Sequence, residues 1–341
     1  MDLQTVSCRN GSCLDKHKVG AGNLRIHCRK DERYYCKTCG ERFNYRCETI
    51  FYGLKYDEQT VLWAVELVSY GCPPQAVVKT FGVDERTLSA WLQRAGKHLA
   101  AFHREQMQPL NLEQVQVDEI KLKKQNGSVW VAMAMAVPSR LWLGAVCQVE
   151  RNKHMAEQIL TCVYLWAAQL LLVIAFDGWS SYPKAAAKVF REEHFTGRGG
   201  RPRLIPWHCL TLIQLVKGHA ARPVRWLLSG SASALRYLLN ASQGLGTTIN
   251  TAYIERLNAT FRAHLAPFAR RTRCPYRSVE TVKPHVYLIG CCYNFCWPHC
   301  SLSASTSRPT TPAMAAGLTD HLWSLHELFW HRLSLYKPST L

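Results

Sequence analysis

The alternation of apolar and polar residues predicts three antiparallel strands in the middle of the chain. Residues 112–150 contain two long alternating runs that meet at Asn126-Gly127, and a third run completes the segment. Asn-Gly between two alternating runs is a strong signal for a hairpin. A stretch with helical spacing, residues 152–169, and a continuous apolar run, residues 170–176, come next. Such a run is typical of a strand buried on both faces, and in this order it is expected to pair in parallel with the first strand.

Apolar residues near helical spacing predict helices on the N-terminal side of these strands. One helix is expected to begin after Asp57, a plausible N-terminal cap, and to end before the chain break at Cys72-Pro73-Pro74. A short helix, a turn at Gly82-Val83 and a longer helix capped by Asp84 follow, which is the pattern of a helix-turn-helix. Its second helix would enter the major groove of DNA through residues near its N-terminus. These residues are Arg86, Thr87 and Ser89. A plain helical hairpin has the same pattern and remains an alternative.

Residues 250–271 predict an amphipathic helix that carries one acid among many bases. At about 100° per residue, its apolar positions form a single stripe. The stripe consists of Ile254, Leu257, Phe261 and Leu265. Glu255, Asn258 and Arg262 fall within an arc of roughly 60° beside that stripe. The helix can therefore pack on the sheet and still direct Glu255 towards it, although Glu255 could instead form a surface ion pair with Arg262.

The composition adds a strong positive charge to this picture. The 341 residues include 42 Lys and Arg against 24 Asp and Glu, for a formal net charge of +18, and 48% of them are hydrophobic. This length allows two or three domains, and the basic excess suits nucleic acid, although it also fits a merely soluble basic protein. No secretory signal is apparent, and the longest apolar stretch, residues 163–176, is shorter than the ~20 residues of a membrane span. We therefore expect a cytoplasmic, nucleoid-associated protein whose cysteines are thiols or metal ligands.

The N-terminal cysteines have the spacing of a zinc site. Two pairs, Cys8 with Cys13 and Cys36 with Cys39, are joined by a loop of about twenty residues. Such pairs fit a four-cysteine tetrahedral site in a small structural unit. Cys28 and Cys47 are alternatives to Cys8 or Cys13, because the first spacing is the looser one, and scattered buried thiols are a further alternative. A second cysteine group, residues 291–300, follows helical spacing and is expected to face a core.

Two aspartates stand where the predicted strands would bring acids together. Asp118 lies in the first strand and Asp177 directly follows the buried strand, so parallel pairing would place them side by side. Neighbouring carboxylates repel each other and are costly to bury without a cation, which predicts Mg²⁺ sites. Plainer alternatives are an edge position for Asp118 with Glu119 inward, and an Asp-Gly turn for Asp177. Glu255 is expected to complete the site, flanked by arginines that bind a phosphate backbone. These arginines are Arg256, Arg270, Arg271 and Arg273.

Several segments resemble the DDE transposases of bacterial insertion sequences, in the group founded by insertion sequence one. The segments "QVDEIK", "FDGWSSYPKA" and "NTAYIERLNATFRAHLAPFARRTR" resemble the catalytic blocks of that family. "RYYCKTCGERF" is similar to its zinc ribbon, "FGVDERTLSAWL" to its helix-turn-helix, and "TPAMAAGLTDHLWSLHELF" to its C-terminal tail. One departure is the gap of 77 residues between Asp177 and Glu255, which is far longer than in the founding members.

The resemblance implies an α/β catalytic domain of the RNase H-like fold, a mixed five-stranded sheet with flanking helices. It implies that Asp118, Asp177 and Glu255 bind two Mg²⁺ or Mn²⁺ ions, and that Asn258 and Arg262 help to position phosphate. The family's zinc ligands fall on Cys8, Cys13, Cys36 and Cys39. Glu192 and Glu193 are closer to Asp177 along the chain than Glu255 is, but they do not lie in the arginine-rich predicted helix.

The same resemblance implies an order of domains and a set of partners. We expect a zinc ribbon over 1–50, a helix-turn-helix domain over 55–106, a catalytic domain over 112–300 and a linker with a C-terminal tail over 301–341. An insertion at about 190–248 carries a basic loop with Arg198, Arg201 and Arg203 that is expected to lie near the DNA. The implied partners are double-stranded DNA, both terminal inverted repeats and target, and further copies of the chain, with no membrane. Two alternatives remain: a DNA-binding regulator with an inactive catalytic domain, and an RNase H-like nuclease or resolvase.

Overall fold

The fold is described by a computed structural model over residues 3–333, except 5, 17, 169, 196, 198–200, 217–223, 242–249, 271 and 273. Within strand and helix, the side chains of residues 224–226 and 239–241 are also left out of the description. The predictions for Arg198, Arg271 and Arg273 therefore concern positions outside the described residues.

The N-terminal unit is a small antiparallel sheet. Its strands are β1 (Leu24–Cys28), β2 (Arg33–Cys36) and β3 (Arg42–Asn44), paired in that order. Leu24, Tyr34 and Phe43 are buried on one side of this sheet and pack with the N-terminal cysteines. A unit of this size has little apolar core of its own, so a metal site would add much of its stability.

Three helices follow, and their ends lie where the capping and turn residues predict them. They are α1 (Glu58–Ser69), α2 (Pro74–Phe81) and α3 (Glu85–Gln106). The carboxylate of Asp57 accepts a hydrogen bond from the Thr60 amide, and that of Asp84 accepts one from the Arg86 amide, so both act as N-caps. Gly82 takes a left-handed conformation, φ 63°, which turns the chain sharply between α2 and α3.

The next strands form the predicted hairpin and the parallel pair. β4 (Gln114–Lys124), β5 (Gly127–Ala136) and β6 (Trp142–Gln148) are antiparallel neighbours, and Lys124 pairs with Gly127 at the tight turn. After α4 (Lys153–Trp166), β7 (Leu172–Phe176) pairs in parallel with β4, Val117 lying opposite Phe176. Both sequence predictions for this region are confirmed.

The main sheet has six strands rather than the five expected. After α5 (Ser181–Val189) and a separate hairpin of β8 (Arg191–His194) and β9 (Arg203–Pro206), β10 (Leu210–Val216) pairs in parallel with β7. β11 (Val224–Ser229) then folds back antiparallel on β10, and the strand order is β11-β10-β7-β4-β5-β6. The extra strand arises because part of the segment expected as an insertion folds back onto the sheet edge.

Helices cover both faces of this mixed sheet. α6 (Ala232–Ala241), α7 (Ala252–His264) and α8 (Val282–Cys291) follow β11. Val115 and Val117 of β4 share a core with α4 and α5, whereas Ile120 and Leu122 share a second core with α7 and α8. Because side chains alternate along a strand, the Asp118 side chain leaves β4 on the α7 face and the Glu119 side chain leaves it on the α4 face.

Of the C-terminal cysteines that helical spacing predicted to face a core, Cys291 and Cys292 are buried, whereas Cys296 is half-buried and Cys300 is exposed. Cys291 is fully buried, and its thiol donates a hydrogen bond to the Leu99 carbonyl of α3 at 3.3 Å. α3 and α8 cross so closely here that a β-carbon on Gly96 would overlap the Pro284 carbonyl.

The last segment packs against the helical domain. It comprises α9 (Cys300–Thr306), α10 (Pro312–Ala315) and α11 (Leu325–Trp330). The part expected as a linker, 301–312, is thus partly helical, and it buries Thr310 and Thr311. The His98 ring of α3 hydrogen-bonds the Leu328 carbonyl at 3.1 Å, which ties α11 to α3.

Candidate functional sites

Four thiols of the N-terminal unit meet in one cluster. The Sγ atoms of Cys8 and Cys39 are 3.5 Å apart, those of Cys13 and Cys36 are 3.8 Å apart, and all four lie within 4.8 Å of one another. Tetrahedral zinc with Zn–S bonds of about 2.3 Å requires sulfur atoms about 3.8 Å apart, so this donor set fits zinc. The four are the cysteines that the spacing predicted, and neither Cys28 nor Cys47 belongs to the cluster.

The local backbone around Cys36 favours a thiolate. Gly40, at φ 75°, allows the chain to turn so that its amide donates to the Cys36 carbonyl, and the Asn23 side chain donates to the Cys36 sulfur at 3.5 Å. Burial raises the pKa of the Cys36 thiol. Hydrogen bonds from the Cys39 backbone, the Cys8 thiol and the Thr38 backbone outweigh this effect and lower the pKa to about 7. This thiol is therefore prepared to bind a metal ion as a thiolate.

A second cluster gathers three carboxylates at one end of the parallel strand pair. Oxygen atoms of Asp118, Glu119 and Asp177 lie within 4.8 Å of one another. The cause is the register: Val117 of β4 pairs with Phe176, the last residue of β7, so the next residue on each strand is an acid. β7 ends at this point, which leaves space beside β4 for the side chains from both faces.

Helix α7 lies directly against Asp118. Asn258, which is only 2% exposed, donates from Nδ2 to Asp118 Oδ2 at 2.7 Å. The stripe predicted for this helix is buried in the sheet core: Ile254, Leu257, Phe261 and Leu265. The fully buried Gln116, on the same face of β4 as Asp118, accepts a hydrogen bond from the Ile254 amide at 2.9 Å and donates to the Asn250 carbonyl. Gln116 thus anchors the first turn of α7.

Glu255 lies near the acids but outside the 4.8 Å cluster. It is one helical turn before Asn258, is exposed, and accepts a hydrogen bond from the Thr251 hydroxyl at 3.1 Å. Burial raises the pKa of Asp118 to about 6; a backbone hydrogen bond from Glu119 opposes the rise, and the charges of Asp177 and Glu255 add to it. Glu255 is therefore close enough to act on Asp118 electrostatically, and the half-buried Arg262 acts on it with the opposite sign.

Arg151 is a member of the site that the sequence analysis did not find. Its Nε donates to Glu119 at 2.6 Å and its Nη2 to Asp177 at 3.3 Å. Burial raises the pKa of Glu119 to about 7, while Arg151 opposes the rise and the charges of Asp177 and Asp118 add to it. Arg151 follows β6 and precedes the α4 cap Asn152, and no local pattern connects it to Asp177. Gln116 did leave a signal, because it is a polar residue at an inward position between two buried valines.

The residues expected to bind DNA are mostly on the surface. Thr87 is half-buried, and the other described members are exposed: Arg86, Ser89, Arg201, Arg203, Arg256 and Arg270. Arg86 and Ser89 lie in the first turns of α3, where an exposed helix N-terminus can approach phosphate. Among the described residues, none of the helices has the length and apolar character needed to cross a membrane.

Comparisons with known proteins add little to this geometry. No family model and no curated protein matches the chain. One solved structure similar to it is a chain from the cryo-EM structure of the simian T-cell lymphotropic virus intasome in complex with the PP2A regulatory subunit B56 gamma. The identity is 12%, the match covers 82% of this chain and 80% of that chain, and the TM-score is 0.32. We infer neither fold nor function from a likeness this distant.

Proposed function

We propose that the chain is a DDE-type transposase, a metal-dependent polynucleotidyl transferase that cuts DNA at the ends of an insertion sequence and joins them to target DNA. The observation that carries the proposal is the hydrogen bond from Asn258 to Asp118. It docks the helix of Glu255 beside two aspartates that the parallel strands have already brought together.

The strand order supports an RNase H-like catalytic domain. In β6-β5-β4-β7-β10 the first three strands are antiparallel and the last two run parallel to β4. On this proposal β11 is an addition to the edge of the sheet, and the domain boundaries remain those of the sequence analysis. The inserted segment then begins after α5. It includes residues before and after β10, while β10 itself is part of the main sheet.

The acidic cluster has the chemistry of a site for divalent cations. Its carboxylates repel one another, which is part of the reason that the Asp118 pKa lies near 6. Asn258 Oδ1 is buried beside Asp118 and accepts no hydrogen bond from the described part of the chain. We propose that Asp118, Asp177 and Glu255 hold two Mg²⁺ or Mn²⁺ ions, with Glu255 turning from Thr251 towards the aspartates. Ions held there by these carboxylates would supply activation of the attacking oxygen and stabilisation of the leaving one.

The proposed reaction has two steps, and the remaining residues would position the DNA for them. A water oxygen attacks the phosphorus at the element's end, and the bond from phosphorus to the 3′ oxygen breaks to leave a 3′-hydroxyl and a 5′-phosphate. That 3′-hydroxyl then attacks a target phosphodiester and releases a target 3′-hydroxyl. Asn258 contacts Asp118 and Arg262 acts on it through its charge, so these two residues would orient the phosphate. Arg86, Thr87 and Ser89 on α3 would read the DNA, and a structural zinc ion on the four cysteines would stabilise the ribbon.

The test uses the full chain and a supercoiled plasmid that carries the open reading frame with its flanking DNA. Asp177→Asn is expected to abolish Mg²⁺-dependent cleavage at the element's ends and to leave DNA binding within about twofold of wild type, because only the metal ligand changes. Asp31→Asn, at an exposed position between β1 and β2, is the control for a simple loss of negative charge. Full cleavage by Asp177→Asn would refute the proposal. Binding without cleavage by wild type would favour the regulator, and cleavage of branched DNA without joining would favour the nuclease.

A further inference from the structure

One arginine connects two of the three clustered acids. The Arg151 guanidinium donates to Glu119 from Nε at 2.6 Å and to Asp177 from Nη2 at 3.3 Å. The two acids come from different strands, since Glu119 lies within β4 and Asp177 follows β7. The Glu119 side chain is only 1% exposed, so this buried charge depends on its partner.

Two indole rings flank the same guanidinium. The Arg151 Cζ atom lies 4.3 Å from the ring centre of Trp179 and 5.4 Å from that of Trp130. Stacking of this kind restricts the rotation of a long side chain and strengthens its attraction to the rings. Trp179 is itself packed edge-to-face on the buried Tyr182 at 5.1 Å, so the ring is held from behind.

Asp177 is consequently held at both of its oxygen atoms. Oδ2 accepts from Arg151, and Oδ1 accepts from the Trp179 amide at 3.0 Å. A carboxylate held in this way cannot rotate freely about its side-chain bonds, even though 43% of the side chain is exposed. Reactions of this class depend on ligand atoms that are held within fractions of an ångström.

We infer that Arg151 is a positioning residue of the proposed reaction: it fixes the Asp177 carboxylate against Glu119, so that Asp177 presents its free lone pairs in one orientation. The inference rests on the proposed function. Arg151 would touch neither DNA nor the reacting atoms. Lysine could not replace it, because a single ammonium group on a flexible stem cannot match the planar fork that spans both acids.

The experiment compares wild type, Arg151→Gln and Arg151→Lys as full-length proteins. Three quantities are measured: the melting temperature, the Mn²⁺ dissociation constant by calorimetry, and the rate of plasmid nicking at saturating Mn²⁺. For Arg151→Gln we expect Mn²⁺ binding at least as tight as in wild type, because a competing cation has gone, and nicking about 10- to 100-fold slower. For Arg151→Lys we expect a melting temperature near that of wild type, because Glu119 keeps a counter-charge, together with slow nicking.

The outcomes separate this inference from the proposed function. Nicking by Arg151→Gln or Arg151→Lys within twofold of wild type would overturn the positioning role. A slow rate that accompanies a large fall in the melting temperature of both variants would overturn it too, since the residue would then support only the fold. If wild type does not nick, or if Asp177→Asn nicks as fast as wild type, the proposed function fails and the role of Arg151 fails with it. Arg236→Gln is the matched control for loss of a charge.

Discussion

Replacement of Asp118 by Asn should stabilise the fold while removing the proposed activity. Burial raises the Asp118 pKa from 3.8 to about 6, with Asp177 and Glu255 adding to the shift. A difference of about 2 units at about 1.4 kcal/mol per unit means that ionised Asp118 costs the fold up to about 3 kcal/mol at neutral pH. Asn carries no charge, and its amide oxygen can still accept the hydrogen bond from Asn258. The substitution therefore removes the cost and keeps the contact.

The dependence on pH has a definite sign. Because the folded-state pKa is the higher one, the folded protein binds the proton more tightly than the unfolded chain between pH 3.8 and about 6. Wild-type stability therefore falls as pH rises through this window, and the loss is complete above it. The advantage of Asp118→Asn should be near zero below about pH 4 and largest above about pH 6.

Urea denaturation in the presence of a chelator measures this difference directly. At about pH 7.5 we expect a free energy of unfolding higher by about 1–3 kcal/mol for Asp118→Asn than for wild type. Added Mg²⁺ should stabilise wild type and have less effect on the variant, because ligand binding stabilises only the state that binds. Asp31→Asn, at an exposed position between β1 and β2, is the control. A variant less stable than wild type at neutral pH, or a difference that is constant with pH, would refute the reasoning.

Two further predictions concern stability elsewhere in the chain. Cys36→Ser should lower bound zinc from about one ion per chain to none and unfold the ribbon. Cys28→Ser, outside the cluster, should keep its zinc. Metal analysis of the purified proteins measures this difference. Equal zinc in both variants would contradict the four-cysteine site. Gly96→Ala should destabilise the fold by about 3 kcal/mol in urea denaturation, because the new methyl group meets the Pro284 backbone of α8, which cannot move aside. Gly11→Ala, where a β-carbon meets only the end of the Lys16 side chain, should change stability little; a similar effect of both substitutions would disprove the close crossing of α3 and α8.

The site illustrates how far local patterns reach. The Asn126-Gly127 hairpin, the buried strand ending at Asp177 and the apolar stripe of α7 were predicted from short-range spacing, and each is present. Cysteine spacing also included the four clustered thiols among its candidates, but it left Cys28 and Cys47 open, because the first pair has the looser separation. These features depend on residues that are close in the chain, so their pattern is visible in the sequence.

Other features depend on contacts between distant segments. The sequence predicts Glu255 as the third acid beside the aspartates, whereas in the structure the third member of the carboxylate cluster is Glu119. The strand turns Glu119 to the α4 face, where Arg151, from the connection between β6 and α4, reaches it. The sixth strand was missed for a similar reason, because an edge strand such as β11 is defined by its neighbour β10.

The sequence by itself determined the hairpin of β4 and β5, the buried strand β7, the helices α1 to α3 and α7, and the candidates for the thiol cluster, because periodicity and spacing act over a few residues. The tertiary structure alone decided the docking of α7 through Gln116 and Asn258 and the bridge that Arg151 makes between two acids. These depend on which faces pack together and on where each strand ends. Electrostatic effects such as the raised pKa of Asp118 follow only once charges from remote segments share a buried space.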